Sequence, residues 1–172
     1  MNVKNETTKK IVWAGLLTAL TTIATMVVQV PSPTGGYINA GDAVVILSAY
    51  LLGPLWGFLA AGIGSALADL ISGYAVYVPA TLIIKGLMAL AAASILRQAK
   101  GEKKLGLAVL GSVTAELIMI AGYFVFTATV LGLGWGALAE IPGNCVQGAF
   151  GAVAGTALYI ALSRTPYVRD NF

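Results

Sequence analysis

The sequence predicts an all-α integral membrane protein of six transmembrane helices with both termini in the cytoplasm. Three observations carry that expectation. Hydrophobic residues make up 58% of the 172 positions and charged residues only 10%, where a soluble domain carries roughly 25% charged. Long apolar segments recur at 11–28, 43–52, 55–68, 77–96, 105–130 and 141–162. The basic residues fall in alternate connections between them. No room is left for a sizeable soluble domain, so residues 1–172 read as one transmembrane domain.

The first segment, Ile11 to Val28, runs 18 residues without a charge, about the length that crosses the hydrocarbon core as a helix. Val28-Gln29-Val30-Pro31 offers no small-residue cleavage site, so it reads as a retained span rather than a signal peptide. Ser32-Pro33-Thr34-Gly35-Gly36 is a turn-rich break. Between Asp42 and Asp69 no residue is charged, and Gly53-Pro54 sits in the middle of that run. Charge decides whether it crosses once or twice, because cytoplasmic loops are enriched in Lys and Arg. Lys4, Lys9 and Lys10 precede the first span, Arg97, Lys100, Lys103 and Lys104 lie in the 97–104 loop, and Arg164 and Arg169 lie in the C-tail. The connections at 29–41, 69–76 and 131–140 hold no Lys or Arg. Two crossings, turning at Gly53-Pro54, put all of those basic residues on one side. Proline suits the first turn of a helix, where its missing N–H costs nothing.

Small residues recur at helical spacing: Gly57, Ala61, Gly64 and Ala68 on the third helix, and Gly148, Gly151, Ala152 and Gly155 on the sixth. In lipid, close packing through such residues holds helices together, so these read as internal packing. The first helix carries two small-residue registers, Ala14/Thr18 and Gly15/Ala19. Either packs inside the bundle or forms a docking face for a partner membrane protein.

A charge at mid-bilayer costs about 2.5–3.5 kcal/mol on insertion scales, so intramembrane polar residues mark the protein interior or a cavity. Lys85 lies about 12 Å deep in the fourth helix at about 1.5 Å per residue. Glu116 is near the middle of the fifth, Tyr123 is seven residues on, and Asn144 and Gln147 share a face of the sixth. These form either a ligand pocket open to the outside or a Lys85–Glu116 or Lys85–Asp69 ion pair with helix-to-helix amide bonds. Asp42 follows Gly41 and reads as a helix cap. Tyr37, Tyr74, Tyr77, Trp135 and Tyr167 fit an interfacial aromatic belt; Tyr37 and Tyr77 also fit the walls of a site for a planar ligand.

The chain has no histidine, one cysteine (Cys145, expected to be inert packing), and no HExxH, GxSxG or phosphate-binding GxxxxGK[ST] motif. No catalytic residue, metal site or cofactor is expected, and the modest positive charge calls for no nucleic-acid partner. Paired repeat halves of a secondary transporter are also missing. A stand-alone facilitator or an intramembrane enzyme using Lys85 and Glu116 remain rival classes, as does a ligand-free assembly subunit.

The blocks Gly41-Asp42-Ala43, Leu52-Gly53-Pro54, Gly62-Ile63-Gly64-Ser65-Ala66-Leu67-Ala68-Asp69 and Pro79-Ala80-Thr81-Leu82-Ile83-Ile84-Lys85-Gly86, with their spacing, resemble the substrate-binding S component of an energy-coupling factor (ECF) vitamin transporter. The resemblance covers nearly the whole chain. It implies an S-component bundle that captures a vitamin from outside, through the 29–41 loop and the outer ends of helices four to six. Site residues would be Tyr37, Asn39, Tyr77, Lys85, Glu116, Tyr123, Asn144 and Gln147. It also implies docking on a transmembrane coupling protein, the T component, through a small-residue motif on the first helix. Ala14, Gly15, Thr18 and Ala19 are the candidates, with glycine where the family usually has alanine. Two ATP-binding subunits would supply energy, so the chain itself would be no enzyme. The block pattern is shared by members handling riboflavin, hydroxymethylpyrimidine and pyridoxine-type vitamins. One lysine, one glutamate, two amides and no intramembrane arginine favour a small single-ring heterocycle, with riboflavin as the alternative.

Overall fold

The computed structural model describes residues 3–99, 104–166 and 168. Lys100, Lys103, Tyr167 and Arg169, used above to read topology and belts, lie outside the described residues, as does the side chain of Lys4. Among the described residues six α-helices form the bundle: α1 Val3–Val27, α2 Asp42–Leu52, α3 Pro54–Ile71, α4 Val78–Leu96, α5 Lys104–Thr129 and α6 Ile141–Ser163. Five of these elements are long and apolar enough to cross a membrane. The exception is α2, whose 11 residues reach only about 16 Å. Every residue of it is buried, so it is sheathed by the other helices rather than by lipid.

The break between α2 and α3 falls at Gly53, whose φ of +79° is a left-handed conformation that suits glycine. Pro54 then opens α3 in its first turn. Prolines also sit in the first turns of α4 (Pro79) and α6 (Pro142), where the lost donor is one that a helix start leaves unbonded anyway.

Large apolar side chains point outward along the helices, among them Leu16, Ile23, Leu55, Ile83, Leu117 and Val153. In water such a continuous surface would aggregate; in a bilayer it is the solvated face. The small residues point inward and set how near the helices come. A methyl at Gly64 would lie 2.6 Å from the Thr18 carbonyl oxygen, and one at Gly155 would lie 2.9 Å from that of Ala43. Thr22 Oγ1 donates to the Gly64 carbonyl at 2.8 Å, fixing α1 on α3. The Ala14/Thr18 register of α1 therefore serves internal packing, with Ala14 buried and the Thr18 carbonyl against Gly64. Gly15 and Ala19 are on the exposed face, and nothing lies within 4 Å of a methyl built on Gly15.

Two of the connections carry regular structure of their own. Residues Gln29–Pro31 (β1) and Tyr37–Asn39 (β2) pair antiparallel, Gln29 opposite Asn39 and Pro31 opposite Tyr37. The turn between them closes through Ser32 N–H donating to the Gly36 carbonyl at 2.8 Å, with Gly35 at φ +91°. Residues Gly134–Glu140 form a short 3-10 helix leading into α6. Both structures sit at the same end of the bundle, over the ends of α1, α3 and α5 and the starts of α2, α4 and α6. Lys10, Arg97 and Lys104 gather at the opposite end.

Candidate functional site

The β1–β2 hairpin lies across one end of the bundle like a strap, and its bonds reach α3, the 3-10 helix and α6. Tyr37 donates its hydroxyl to Asp69 Oδ1 on α3 at 2.6 Å. Gln29 Nε2 donates to Ser72 Oγ at 3.0 Å. Thr34 Oγ1 donates to Glu140 Oε2, at the end of the 3-10 helix, at 2.9 Å. The Asn39 N–H donates to Gln147 Oε1 on α6 at 2.8 Å. Tyr77, just before α4, sets its ring under the turn: a methyl on Gly36 would meet its Cζ at 3.3 Å. Aromatic contacts tie this lid together, with ring centroids 4.6 Å apart for Tyr37–Tyr74 and 5.4 Å for Tyr77–Phe126. Desolvation, followed by the hydrogen bond to Asp69, pushes the Tyr37 phenol well above its ordinary value of 10.0. Burial, and then the charge of Glu140, raise Tyr77 in the same sense.

Beneath the strap is a cavity lined by residues of the hairpin, α3, α4, α5 and α6. It encloses only about 30 Å³ of free space, enough for water but not for a ring. Six of the eight residues expected from the sequence line it: Tyr37, Asn39, Tyr77, Tyr123, Asn144 and Gln147. Asp69, Thr81, Glu140, Ser32 and Gly36 complete the lining, and among the described residues no Lys or Arg takes part. Tyr123 and Thr81 share a hydroxyl hydrogen bond at 3.0 Å across α4 and α5. Asp69 Oδ2 and Glu140 Oε1 are buried without a hydrogen-bond partner among the described residues. The cavity thus presents two carboxylates, each with an unused acceptor, and three phenol rings.

Lys85 and Glu116 do not line this cavity. They lie one hydrogen bond below it, around Asp42. Neither of the alternative pairs, Lys85–Glu116 or Lys85–Asp69, forms: Lys85 Nζ is paired with Asp42 Oδ1, both side chains almost fully buried. Nor does Asp42 cap its helix. The start of α2 has no side-chain cap bond, and the carboxylate turns inward, where its Oδ2 accepts from Gln147 Nε2 at 2.6 Å. The reason is depth. α2 is short and starts under the hairpin, so its first residue is inside the bundle rather than at an interface. An isolated buried lysine and an isolated buried carboxylate are each costly, and pairing with full hydrogen bonding is what makes them tolerable. The Lys85 ammonium also lies 5.5 Å from the Tyr123 ring centroid, a cation–π distance.

Glu116 approaches the same pair from α5, against the small face of α6. A methyl at Gly151 would lie 2.5 Å from Glu116 Oε1 and 2.7 Å from Asp42 Cβ. Gly148 and Gly151 are therefore the small residues that let α6 close over two carboxyl groups. Asp42, Asp69 and Glu140 are the site residues that sequence reasoning missed. Each sits at or beside a helix end, where an acid is equally well explained by capping or solvation.

Comparison with known proteins adds to this geometry. A family described as "ECF-type riboflavin transporter, S component" matches residues 5–164. A protein of Pyrococcus woesei described as "Uncharacterized protein in gap 3'region" is 38% identical over 144 residues, covering 83% of this chain and 94% of the relative.

Proposed function

We propose, from the premise that the chain belongs to the ECF-type riboflavin transporter S-component family, that it captures a small, single-ring, hydrogen-bond-donating heterocycle of the hydroxymethylpyrimidine or pyridoxine type. The family supplies substrate-binding membrane subunits of vitamin uptake, not enzymes. Residues 1–172 act as one such unit, with the hairpin end facing outside the cell and both termini in the cytoplasm. The preference of Lys and Arg for cytoplasmic connections supports that orientation.

One observation carries the substrate class. Asp69 and Glu140 each face the cavity with an unused acceptor oxygen, and no cation among the described residues lines it. Buried acceptors favour a ligand that brings its own donors, because leaving them unmatched costs about 1–3 kcal/mol apiece. A protonated ring nitrogen, an exocyclic amine or hydroxymethyl groups meet that demand. Tyr37, Tyr77 and Tyr123 supply faces for a planar ring, and Asn39, Asn144 and Gln147 supply amides on two sides. Entry requires the hairpin to lift, breaking its bonds to Asp69, Glu140 and Gln147. Delivery inside proceeds with a T component and two ATP-binding subunits, the exposed Gly15/Ala19 face of α1 being the docking surface.

Riboflavin is the second reading, favoured by the family's own description. A three-ring ligand would need a much larger opening of the cavity. The test is mass spectrometry of small molecules extracted from the purified protein, followed by titration with pyridoxine, hydroxymethylpyrimidine and riboflavin. Tight binding of a single-ring compound is the expected result. Preference for riboflavin would overturn the substrate class, and binding of none of the three would overturn the assignment of the cavity.

A further inference from the structure

The outer faces of α5 and α6 do not close on each other. Leu105, Val109 and Val113 stand exposed along α5, and α6 opposes them with the smaller Ala152, Thr156 and Ala157. The mismatch in size leaves a cleft of about 350 Å³. Toward Lys104 it runs into a second cleft of about 370 Å³, with Leu105 and Ile160 common to both. Toward mid-membrane it runs into a third of about 200 Å³, with Val113 and Ala152 in common. The three make one groove, about 18 Å from Lys104 to Glu116 at about 1.5 Å per residue. Its floor asks for no polar partner. Ser112 shares a hydroxyl hydrogen bond with Thr156 at 2.6 Å and another with Tyr50 at 2.8 Å. Glu116 borders the inner end, but both its carboxyl oxygens are buried, beside Gly148 and Gly151. The groove is therefore built for hydrocarbon along its length.

The chemistry changes at one end only. Lys104 opens α5, Arg164 follows α6, and both line the mouth of the groove with Tyr159. The Lys104 ammonium lies 5.4 Å from the Tyr159 ring centroid, a cation–π distance that keeps it at the mouth. Neither cation forms an ion pair among the described residues. Lys10 and Arg97 border an adjoining hollow that Lys104 and Tyr159 also line, so the field at this end is positive. The helix dipoles do not set its sign, because α5 starts there and α6 ends there. An occupant that fits is slender, apolar along its length and anionic at one end. We propose that the α5–α6 groove binds one anionic membrane lipid, its phosphate between Lys104 and Arg164 and one tail along the groove toward Glu116. Basic pockets between membrane helices take anionic headgroups, and arginine adds paired donors for phosphate oxygens. One leaflet is about 15 Å deep, half of the ~30 Å hydrocarbon core, and the groove has room for a tail of that reach. α1 packs on α2 and α3, so the lipid lies away from the proposed docking face of α1 and stays in place when a partner binds there.

The test is native mass spectrometry of the whole purified protein, released from detergent with added phosphatidylglycerol or phosphatidylcholine. No vitamin is added, so the outcome is separate from the substrate assignment. One phosphatidylglycerol per chain is expected to be retained, at least about tenfold more tightly than phosphatidylcholine. Lys104→Gln and Arg164→Gln should each weaken phosphatidylglycerol about fivefold. Both replace exposed side chains, so they keep the test open if a groove variant fails to fold. Ala157→Leu puts a side chain into the groove and should weaken both lipids. Inorganic phosphate in large excess should not displace the lipid, because it brings no tail. Equal retention of the two lipids, or unchanged binding of phosphatidylglycerol in both glutamine variants, would overturn the headgroup site. Unchanged binding in Ala157→Leu would overturn the groove as the seat of the tail. Displacement by inorganic phosphate would leave a plain anion site and overturn the lipid. A dimer in place of the lipid-bound chain would give the groove to a second copy and overturn it as well.

Discussion

Replacing Lys85 by methionine is the sharpest perturbation of this fold. The side chain is 2% exposed and that of its partner Asp42 is 1% exposed. Methionine keeps most of the length and volume and removes the charge. Asp42 then remains beside Glu116 with only the Gln147 amide to satisfy it, two carboxyl groups and no cation. Breaking a buried pair from one side costs about 3–5 kcal/mol, and Lys85→Met belongs in that range. Asp42→Asn is expected to cost less, about 1–2 kcal/mol, for a reason particular to this site. The lysine freed by that change has a second carboxyl, Glu116, on the next helix. The double variant Lys85→Met/Asp42→Asn leaves no unpaired charge and should recover much of the loss. The coupling energy would then be about 2–3 kcal/mol, well above the ~0.5 kcal/mol within which independent sites add. Equilibrium unfolding of the four proteins in mixed micelles, followed by helicity, measures this directly. Additive single-variant losses, or an Asp42→Asn loss equal to that of Lys85→Met, would refute the reasoning that the lysine is shared between two acids.

Asn144→Ala is expected to weaken binding of the ligand at least tenfold, about 1.4 kcal/mol, since Asn144 lines the cavity; calorimetric titration reads it, and an unchanged affinity would place the site elsewhere. Gly15→Leu and Ala19→Leu should leave ligand affinity intact but abolish ATP-dependent uptake in the reconstituted transporter, because both positions are on the exposed face of α1. Uptake retained in both variants would rule out docking there. Tyr37 gives a separate alkaline signature. The closed hairpin holds the neutral phenol, whose value is raised above 10.0 by burial and Asp69; in the open form the phenol is hydrated and ionises at its ordinary value. Closure is therefore fully supported below about pH 10 and weakens as the pH rises past it. Exchange protection of the hairpin should show that alkaline phase and Tyr37→Phe should lack it.

The helical layout was legible because a bilayer leaves little freedom. Apolar segments of sufficient length between polar connections become helices, and the bounds of α4, α5 and α6 fall within a residue or so of the apolar runs that announced them. Gly53-Pro54 announced its break just as clearly. The hairpin was not legible. Its strands are three residues each, too short for an alternating pattern to declare itself, and what holds them is a set of bonds to distant elements. For the site, the polar residues inside helices stood out because the membrane makes them conspicuous, and three of them, Tyr123, Asn144 and Gln147, line the cavity. Asp42, Asp69 and Glu140 did not stand out. An acid at a helix end has an ordinary explanation, and only the approach of residues 43 and 105 positions away turns Asp42 into the centre of a buried network.

That network bears on how a subunit of this size holds a cargo and lets it go. The lid is not anchored by apolar contact alone. Its bonds end on Asp69, Glu140 and Gln147, three residues that also line the cavity. A ligand donating to those two acids would take the oxygens that Tyr37 and Thr34 leave unused, Asp69 Oδ2 and Glu140 Oε1. Ligand and lid would then hold different oxygens of the same carboxylates, while Gln147, held from below by Asp42, keeps α6 and the hairpin in register. Capture would therefore add to the lid bonds rather than replace them, the filled closed form would be deeper than the empty one, and release would need energy supplied from elsewhere.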